Sequence, residues 1–301
     1  MTQTHLSTRA WGALALLAII WGGSFLAIRT ALDEIGPITS VFYRTSIAAT
    51  LLWIIILIKR DPIPKSPALW IGLGGMGLLN NVIPFCLMAW GQVYIETGLT
   101  SILNATTAVF GVLVAALFFA DEQLTRRKTL GVVIGFCGVA VAIGPSNLIS
   151  FDVNSTPQLA VIAGTFSYAF AGAWARLRLQ GLSALHASTG MLTCSSLMMV
   201  PIMLWSEGIP DLSLSATTWA GVLYFAIVAT AGAYLLYYKI LAMAGSGNLL
   251  LVTLLIPPVA IVLGNAVRGE TLQTTAYFGF AILALGLVLL DPRVKIPRRK
   301  I

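Results

Sequence analysis

One phrase of apolar sequence occurs twice in this chain, and that duplication constrains the fold more than any other feature. The first copy runs from Asn104-Ala105-Thr106-Thr107-Ala108-Val109-Phe110 to Ala120-Asp121-Glu122-Gln123-Leu124 and Gly131. The second runs from Val252-Thr253-Leu254-Leu255-Ile256-Pro257-Pro258 to Arg268-Gly269-Glu270-Thr271-Leu272 and Gly279. Glu122 and Glu270 stand 148 residues apart, and the pairs Leu124/Leu272, Gly131/Gly279 and Gly138/Gly286 keep that offset without a gap. The expectation is two units, 1–146 and 147–301, built alike and packed on each other.

The solvent of this fold is set by composition. The chain is 58% hydrophobic and 10% charged, with a mean hydropathy of +0.90, where soluble domains carry about 25% charged residues. A soluble domain could not hide so much apolar surface, so the bilayer must surround it. Inside a bilayer every backbone polar group needs an internal partner, which predicts helices. Stretches of roughly 20 apolar residues, the length that crosses a membrane, fall near 11–30, 37–58, 68–92, 98–119, 128–145, 157–176, 185–205, 216–238, 247–267 and 274–290. The expectation is an all-α integral membrane protein of ten transmembrane helices, five per copy.

The basic residues orient it. With the N-terminus inside, 15 Lys and Arg fall in inner segments, from Arg9 to the Arg293–Lys300 tail, and only Arg29 and Arg268 fall outside. Arg44 lies within a span. Such a bias predicts both termini in the cytoplasm, and it explains the net charge of +7 without nucleic acid. Because five is odd, the second copy enters from the opposite face, so the two repeats are inverted. That architecture can expose one central site alternately to two faces. The first apolar run lacks a small-x-small cleavage site and reads as a retained helix rather than a signal peptide. Cys86, Cys137 and Cys194 have no pairing or ligand spacing, so no metal site and no cofactor are expected.

These features resemble the drug/metabolite transporter superfamily, specifically its ten-helix members with paired EamA-type repeats. The residues that carry the resemblance are Trp21-Gly22-Gly23-Ser24-Phe25, Arg44, Ala120-Asp121-Glu122-Gln123-Leu124-Thr125, Ile256-Pro257-Pro258 and Arg268-Gly269-Glu270-Thr271-Leu272. The first repeat departs from the pattern at Val109-Phe110, where the family often has a proline. The resemblance implies a bacterial inner-membrane exporter of amino acids and related small metabolites, aromatic ones included. Other members move sugars, nucleotide sugars, cations or lipid-linked sugars, so a nucleobase, sugar or drug-like cation is the alternative cargo.

A substrate in such a protein is expected at the midplane, beside broken helices. Gly22-Gly23 lies at the centre of span 1, Asn80-Asn81 at the centre of span 3 with Pro84 one turn later, and Pro257-Pro258 at the centre of span 9. Two adjacent amides in the bilayer are costly unless hydrogen-bonded. They point about 100° apart on a helix, so one can hold helices together while the other faces a cavity. Asn104 presents the same choice. Trp21, Tyr168, Tyr234 and Tyr238 lie deeper than interfacial belt aromatics, and Ser24 shares the face of Trp21. The expected substrate-binding set is therefore Trp21, Ser24, Asn80, Asn81, Asn104, Tyr168, Tyr234 and Tyr238. The expected gating and structural set is Gly22, Gly23, Arg44, Pro84, Pro257 and Pro258. Arg44 either snorkels to the outer headgroups or caps a polar partner at the outer gate.

An intramembrane enzyme would need paired carboxylates, a histidine cluster or an activated nucleophile in the spans. The acidic residues lie at span ends or in loops, and the histidines are His5 and His186, so no catalytic residues are expected. The same lack of a central carboxylate predicts flux down the substrate's own gradient, without an obligatory proton. The remaining partners expected are the small-molecule substrate and the lipid bilayer, with the monomer as the working unit.

Overall fold

A computed structural model describes residues 7–63, 66–120, 123–143, 156–237, 239–240, 243 and 252–290. Among the described residues the chain forms ten helices and no strands. They are α1 (Thr8–Ala31), α2 (Pro37–Lys59), α3 (Pro67–Tyr94), α4 (Thr97–Phe118), α5 (Arg126–Ile143), α6 (Thr156–Arg178), α7 (Ala184–Ser206), α8 (Ala216–Tyr237), α9 (Val252–Arg268) and α10 (Thr274–Leu290). Six of them, α1 to α4 with α7 and α8, are long and apolar enough to cross a membrane. α9 and α10 are shorter apolar helices, and α5 opens on Arg126-Arg127-Lys128.

Local chemistry sets the ends. Ser7, Ser183 and Ser215 each cap a helix through the side chain, and Pro37 and Pro67 occupy first-turn positions, where a missing N–H costs nothing. α2 stops on Arg60, held in a left-handed conformation with φ 52°. The molecule has two ends, named here for a residue on each. The Arg29 face carries the C-terminal ends of α1, α3, α5, α7 and α9. The Lys59 face carries the C-terminal ends of the other helices.

The packing repeats the duplication. α2 packs on α7, α4 on α9 and α5 on α10. The contact of α1 with α9 is matched by that of α6 with α4, α3 with α6 by α8 with α1, and α3 with α7 by α8 with α2. Exchanging each helix with the one five places along the chain returns each of these contacts. A two-fold relation between units of five helices turns the second unit upside down relative to the first, as the odd helix count requires.

Two kinds of surface result. Leu14, Leu17, Leu52, Leu73, Ile102, Leu192, Phe225 and Leu283 are buried between helices, whereas Ile58, Ile71, Leu117, Leu197, Val262 and Phe278 face outward at 64–77% exposure. An apolar exterior of this kind suits lipid. α5 and α10 touch backbone to backbone through their glycines. A methyl on Gly138 would meet the backbone of Leu283 and Gly279, one on Gly131 would lie 2.9 Å from the Gly286 oxygen, and one on Gly286 would lie 2.6 Å from the Gly135 nitrogen. Small residues are what allow helices to approach so closely in a membrane.

The interruptions differ from those expected at Gly22-Gly23 and Pro257-Pro258. α1 and α9 run through those positions unbroken. Gly22 serves the crossing instead, since a methyl there would stand 2.6 Å from Cβ of Val259 and 3.2 Å from the Ile256 oxygen. The real departures from α geometry are π-helical segments at Leu78–Val82 in α3 and Tyr224–Gly232 in α8, and a turn at Ala105–Thr106 in α4. Pro84 accounts for the first of these. It lacks the N–H that would bond the Asn80 carbonyl, and the wider turn just before it absorbs the gap.

Candidate substrate site between the repeats

The π segments fall at equivalent places in the two repeats, and each leaves a carbonyl open to a donor from elsewhere. Ser167 Oγ on α6 donates to the Leu79 oxygen at 2.7 Å. Trp21 Nε1 on α1 donates to the Ala229 oxygen at 3.2 Å. In both cases the first helix of one repeat bonds the third helix of the other. Tyr224 strengthens the second contact, its hydroxyl donating to the Ile20 oxygen at 3.1 Å and filling the space beside Gly23.

Between these two joints lies a continuous polar network. The Tyr234 hydroxyl donates to Asn81 Oδ1 at 3.0 Å and accepts from Asn80 Nδ2 at 3.0 Å. Asn81 Nδ2 donates to Ser195 Oγ at 2.9 Å, and Ser195 Oγ is tied to the Met191 oxygen at 2.7 Å. The network therefore joins α3, α7 and α8. The two amides differ as their helical spacing predicts. Asn81 is fully enclosed, while Asn80 keeps part of its surface accessible.

Arg44 sits beside this network and points into the protein rather than to the headgroups. Its Nε donates to Thr230 Oγ1 at 2.8 Å, and its Cζ lies 3.8 Å from the Phe85 ring centroid. Phe85 in turn meets Tyr168 edge-on, with ring centroids 6.4 Å apart. Tyr168 and Tyr234 both lie within electrostatic reach of the guanidinium. Thr230 is itself fixed, because its hydroxyl donates to the Phe225 oxygen at 2.7 Å, five residues back along the π segment.

Other expected members are placed differently. Trp21 is half-buried, with its ring 5.9 Å from that of Tyr237. Ser24 is buried, and its hydroxyl donates to the Trp21 oxygen at 2.7 Å, so it serves its own helix. The Asn104 side chain is partly accessible at the α4 turn, away from the network, and Thr107 Oγ1 donates to its carbonyl. Tyr238 lies outside the described residues. Pro257 and Pro258 lie in α9 near its crossing with α1. Ser195, Thr230, Met191 and Phe85 were not singled out in the sequence. Ser195 and Thr230 could have been, as polar residues at the centres of apolar spans.

The Arg29 face is tied across the repeats. Asp33 accepts from Arg268 at 2.7 and 3.1 Å and from Arg29 at 2.9 Å, and the Arg268 guanidinium holds its carboxyl below the usual aspartate range. Glu270 accepts from the backbone N and the hydroxyl of Thr97, both at 2.8 Å. Glu207 caps the start of α2 through Ile38 N and Thr39 N. Glu34 accepts from Ser215 N at 2.8 Å, and the Ser215 hydroxyl first and its backbone N–H second lower the carboxyl's affinity for a proton. A cavity of about 530 Å³ also opens on this face, lined by Trp90, Glu96, Leu99, Gln158 and Gln273 among others. None of the expected site residues lines it, so the network around Asn80 and Arg44 is the stronger candidate. Among the described residues no His, Cys, Asp and Glu are grouped as a metal would require.

Known proteins carry the same design. A protein described by its crystal structure superposes with a TM-score of 0.67 at 16% identity, covering 95% of this chain and 99% of that one, which establishes the fold. An uncharacterized transporter of Archaeoglobus fulgidus is 26% identical over 93% of this chain and 99% of its own length. The inner membrane transporter YedA of Escherichia coli is 24% identical over 93% and 89%. A probable terminal-alkyne amino-acid exporter of Streptantibioticus cattleyicolor is 27% identical over 98% and 97%. These relatives are named as transporters rather than enzymes. The EamA-like transporter family model matches residues 10–144 and again 156–290. The chain is thus an integral membrane protein and belongs to the EamA-like transporter family.

Proposed function

We propose that this transporter exports amino acids, with apolar or aromatic side chains favoured, and related small metabolites from the cytoplasm. The observation that carries this reading is the Asn80–Tyr234–Asn81–Ser195 network with Arg44 beside it, where α2, α3, α7 and α8 meet. It offers amide, hydroxyl and guanidinium groups to a zwitterion, and the partly accessible rings of Tyr168 and Trp21 to an apolar side chain. The amino-acid exporter among the relatives supports the same substrate class.

The inverted repeats support alternating access: the joints at Leu79 and Ala229 are matched, and rocking one repeat against the other would exchange which face reaches the site. The Lys and Arg bias supports an orientation with the Lys59 face and both termini in the cytoplasm of a bacterial inner membrane, and the proposed working unit is the monomer. The described carboxylates lie at helix ends or in connections, which supports flux down the substrate gradient without an obligatory proton.

Counterflow in proteoliposomes tests this. Labelled leucine and phenylalanine are expected to accumulate against preloaded unlabelled amino acid, saturably, and without an imposed pH gradient. Counterflow of purines, sugars or organic cations but of no amino acid would replace the cargo and leave the fold untouched. Uphill accumulation driven by a proton gradient would overturn the coupling claim.

A further inference from the structure

We propose that Arg44 is the anchor for the substrate's carboxylate, and that the site selects for this group while remaining largely indifferent to the α-ammonium. This rests on the proposed export of amino acids, and it defines the cargo as carboxylates, with amino acids one subset.

Two groups fix the Arg44 guanidinium. The π segment of α8 lets Thr230 bond the carbonyl five residues back, which aims a hydroxyl lone pair at Arg44 Nε. Phe85 lies under the guanidinium plane. Nε and one face are thereby occupied. The end-on edge formed by Nη1 and Nη2 is not: neither nitrogen has an acceptor among the described residues, and neither is sealed from accessible space. A planar fork held at one end and open at the other is the geometry that takes a carboxylate in two parallel hydrogen bonds.

Charge points the same way. An arginine deep in a span is expensive and ordinarily pairs with an acid or a backbone carbonyl. No acid is within ion-pair distance of Arg44 among the described residues. The described carboxylates, from Asp33 to Glu270, stand at helix ends or in connections. The site therefore holds a fixed cation without a fixed anion, so an anionic ligand gains what the protein has left unpaired. The ammonium of an amino acid would find only neutral partners, such as the Asn80 amide oxygen and the rings of Tyr168 and Tyr234.

The test uses three probes that share a side chain: phenylalanine, 3-phenylpropionate without the amine, and phenylalaninamide without the carboxylate. Binding is read from the melting temperature of purified protein, and transport from competition against labelled phenylalanine. Phenylalanine and 3-phenylpropionate should have apparent affinities within about threefold of each other, and phenylalaninamide should be at least about tenfold weaker, as loss of a charged bidentate contact implies. Arg44→Gln should bring the acid and the amide within about twofold. Arg44→Lys should keep a reduced preference for the acid, so the comparison survives if Arg44→Gln does not fold. Equal or tighter binding of phenylalaninamide to the wild-type protein, or no binding of either carboxylate, overturns the proposal. Arg44-dependent binding of 3-phenylpropionate in a protein that moves no amino acid would remove the amino-acid reading and leave this one standing.

Discussion

The two adjacent asparagines of α3 should separate folding from transport. Asn81→Ala removes a side chain with no exposed surface that makes two hydrogen bonds of good length, at 2.9 Å to Ser195 and 3.0 Å from Tyr234, and a longer one of 3.4 Å from Asn80. Interhelical hydrogen bonds in membranes contribute about 0.6 kcal/mol each on average. The half-buried Tyr234 hydroxyl also loses the Asn81 acceptor, at a cost of about 1 kcal/mol. The sum is about 2 kcal/mol, which is roughly 4–8 °C in melting temperature. Asn80→Ala loses one bond of good length, to the Tyr234 hydroxyl, from a side chain that is already partly accessible. Its cost should be about 0.5 kcal/mol, near the limit of a melting assay. Flux should rank the other way. Normalised to folded protein, counterflow by Asn80→Ala should fall at least about tenfold, the effect of losing one substrate contact of about 1.4 kcal/mol, while the surviving folded fraction of Asn81→Ala transports with a smaller loss. Wild-type flux in Asn80→Ala, or a larger melting shift in Asn80→Ala than in Asn81→Ala, would show that the accessible amide is structural and refute the assignment.

Three further outcomes follow from the geometry. Asp33→Asn should lower stability by no more than about 1 kcal/mol, since the ion pair with Arg268 is half-exposed and screened; because the aspartate's proton affinity is depressed in the folded state, the tie is present above its ordinary value of 3.8 and lost only as pH falls through the lower folded value, so the melting gap to wild type should shrink in high salt yet stay constant from pH 5.5 to 8, and a gap that changes across that range refutes the assignment. Gly138→Leu should cost about 3 kcal/mol or more through overpacking against the α10 backbone, measured as lost folded yield, while Gly172→Leu, where nothing lies within 4 Å, should be tolerated. In a cysteine-free background, a cysteine at Ile209, 88% exposed on the Arg29 face, should react with an impermeant reagent added to intact cells, and one at Arg127 should not; the reverse pattern would invert the topology.

Much of the fold is legible in the sequence because bilayer thickness and helix rise fix span length. The stretches 37–58, 98–119 and 185–205 correspond to Pro37–Lys59, Thr97–Phe118 and Ala184–Ser206, and the duplicated glycines mark the α5–α10 contact. The site is only partly legible. Asn80, Asn81, Tyr168 and Tyr234 stand out because polar groups in a span need a reason, and they are brought into one region. Ser24 looks equally promising on a helical wheel, but its hydroxyl has a free choice between a ligand and its own carbonyl three residues back, and spacing does not decide that. For Arg44 the sequence leaves snorkelling and an inward polar partner both open, because it gives depth and not direction. Its inward course depends on Thr230 and Phe85, partners 186 and 41 residues away.

The matched π segments make α3 and α8 helices with two phases. Each residue beyond the α repeat turns everything after it by about 100° relative to everything before, so a wide turn acts as a dial set between the two halves of one rod. In α8 the dial lies between Trp219 at the rim and Tyr234 at the network; in α3 it lies between Trp70 and Gln92, whose amide reaches the Phe25 oxygen. The two halves of each rod can thus be tuned apart. Relatives with the same ten helices could change what the centre presents to the rim before it by adding or removing one residue at Leu78–Val82 or Tyr224–Gly232, with the sequence of either rim kept.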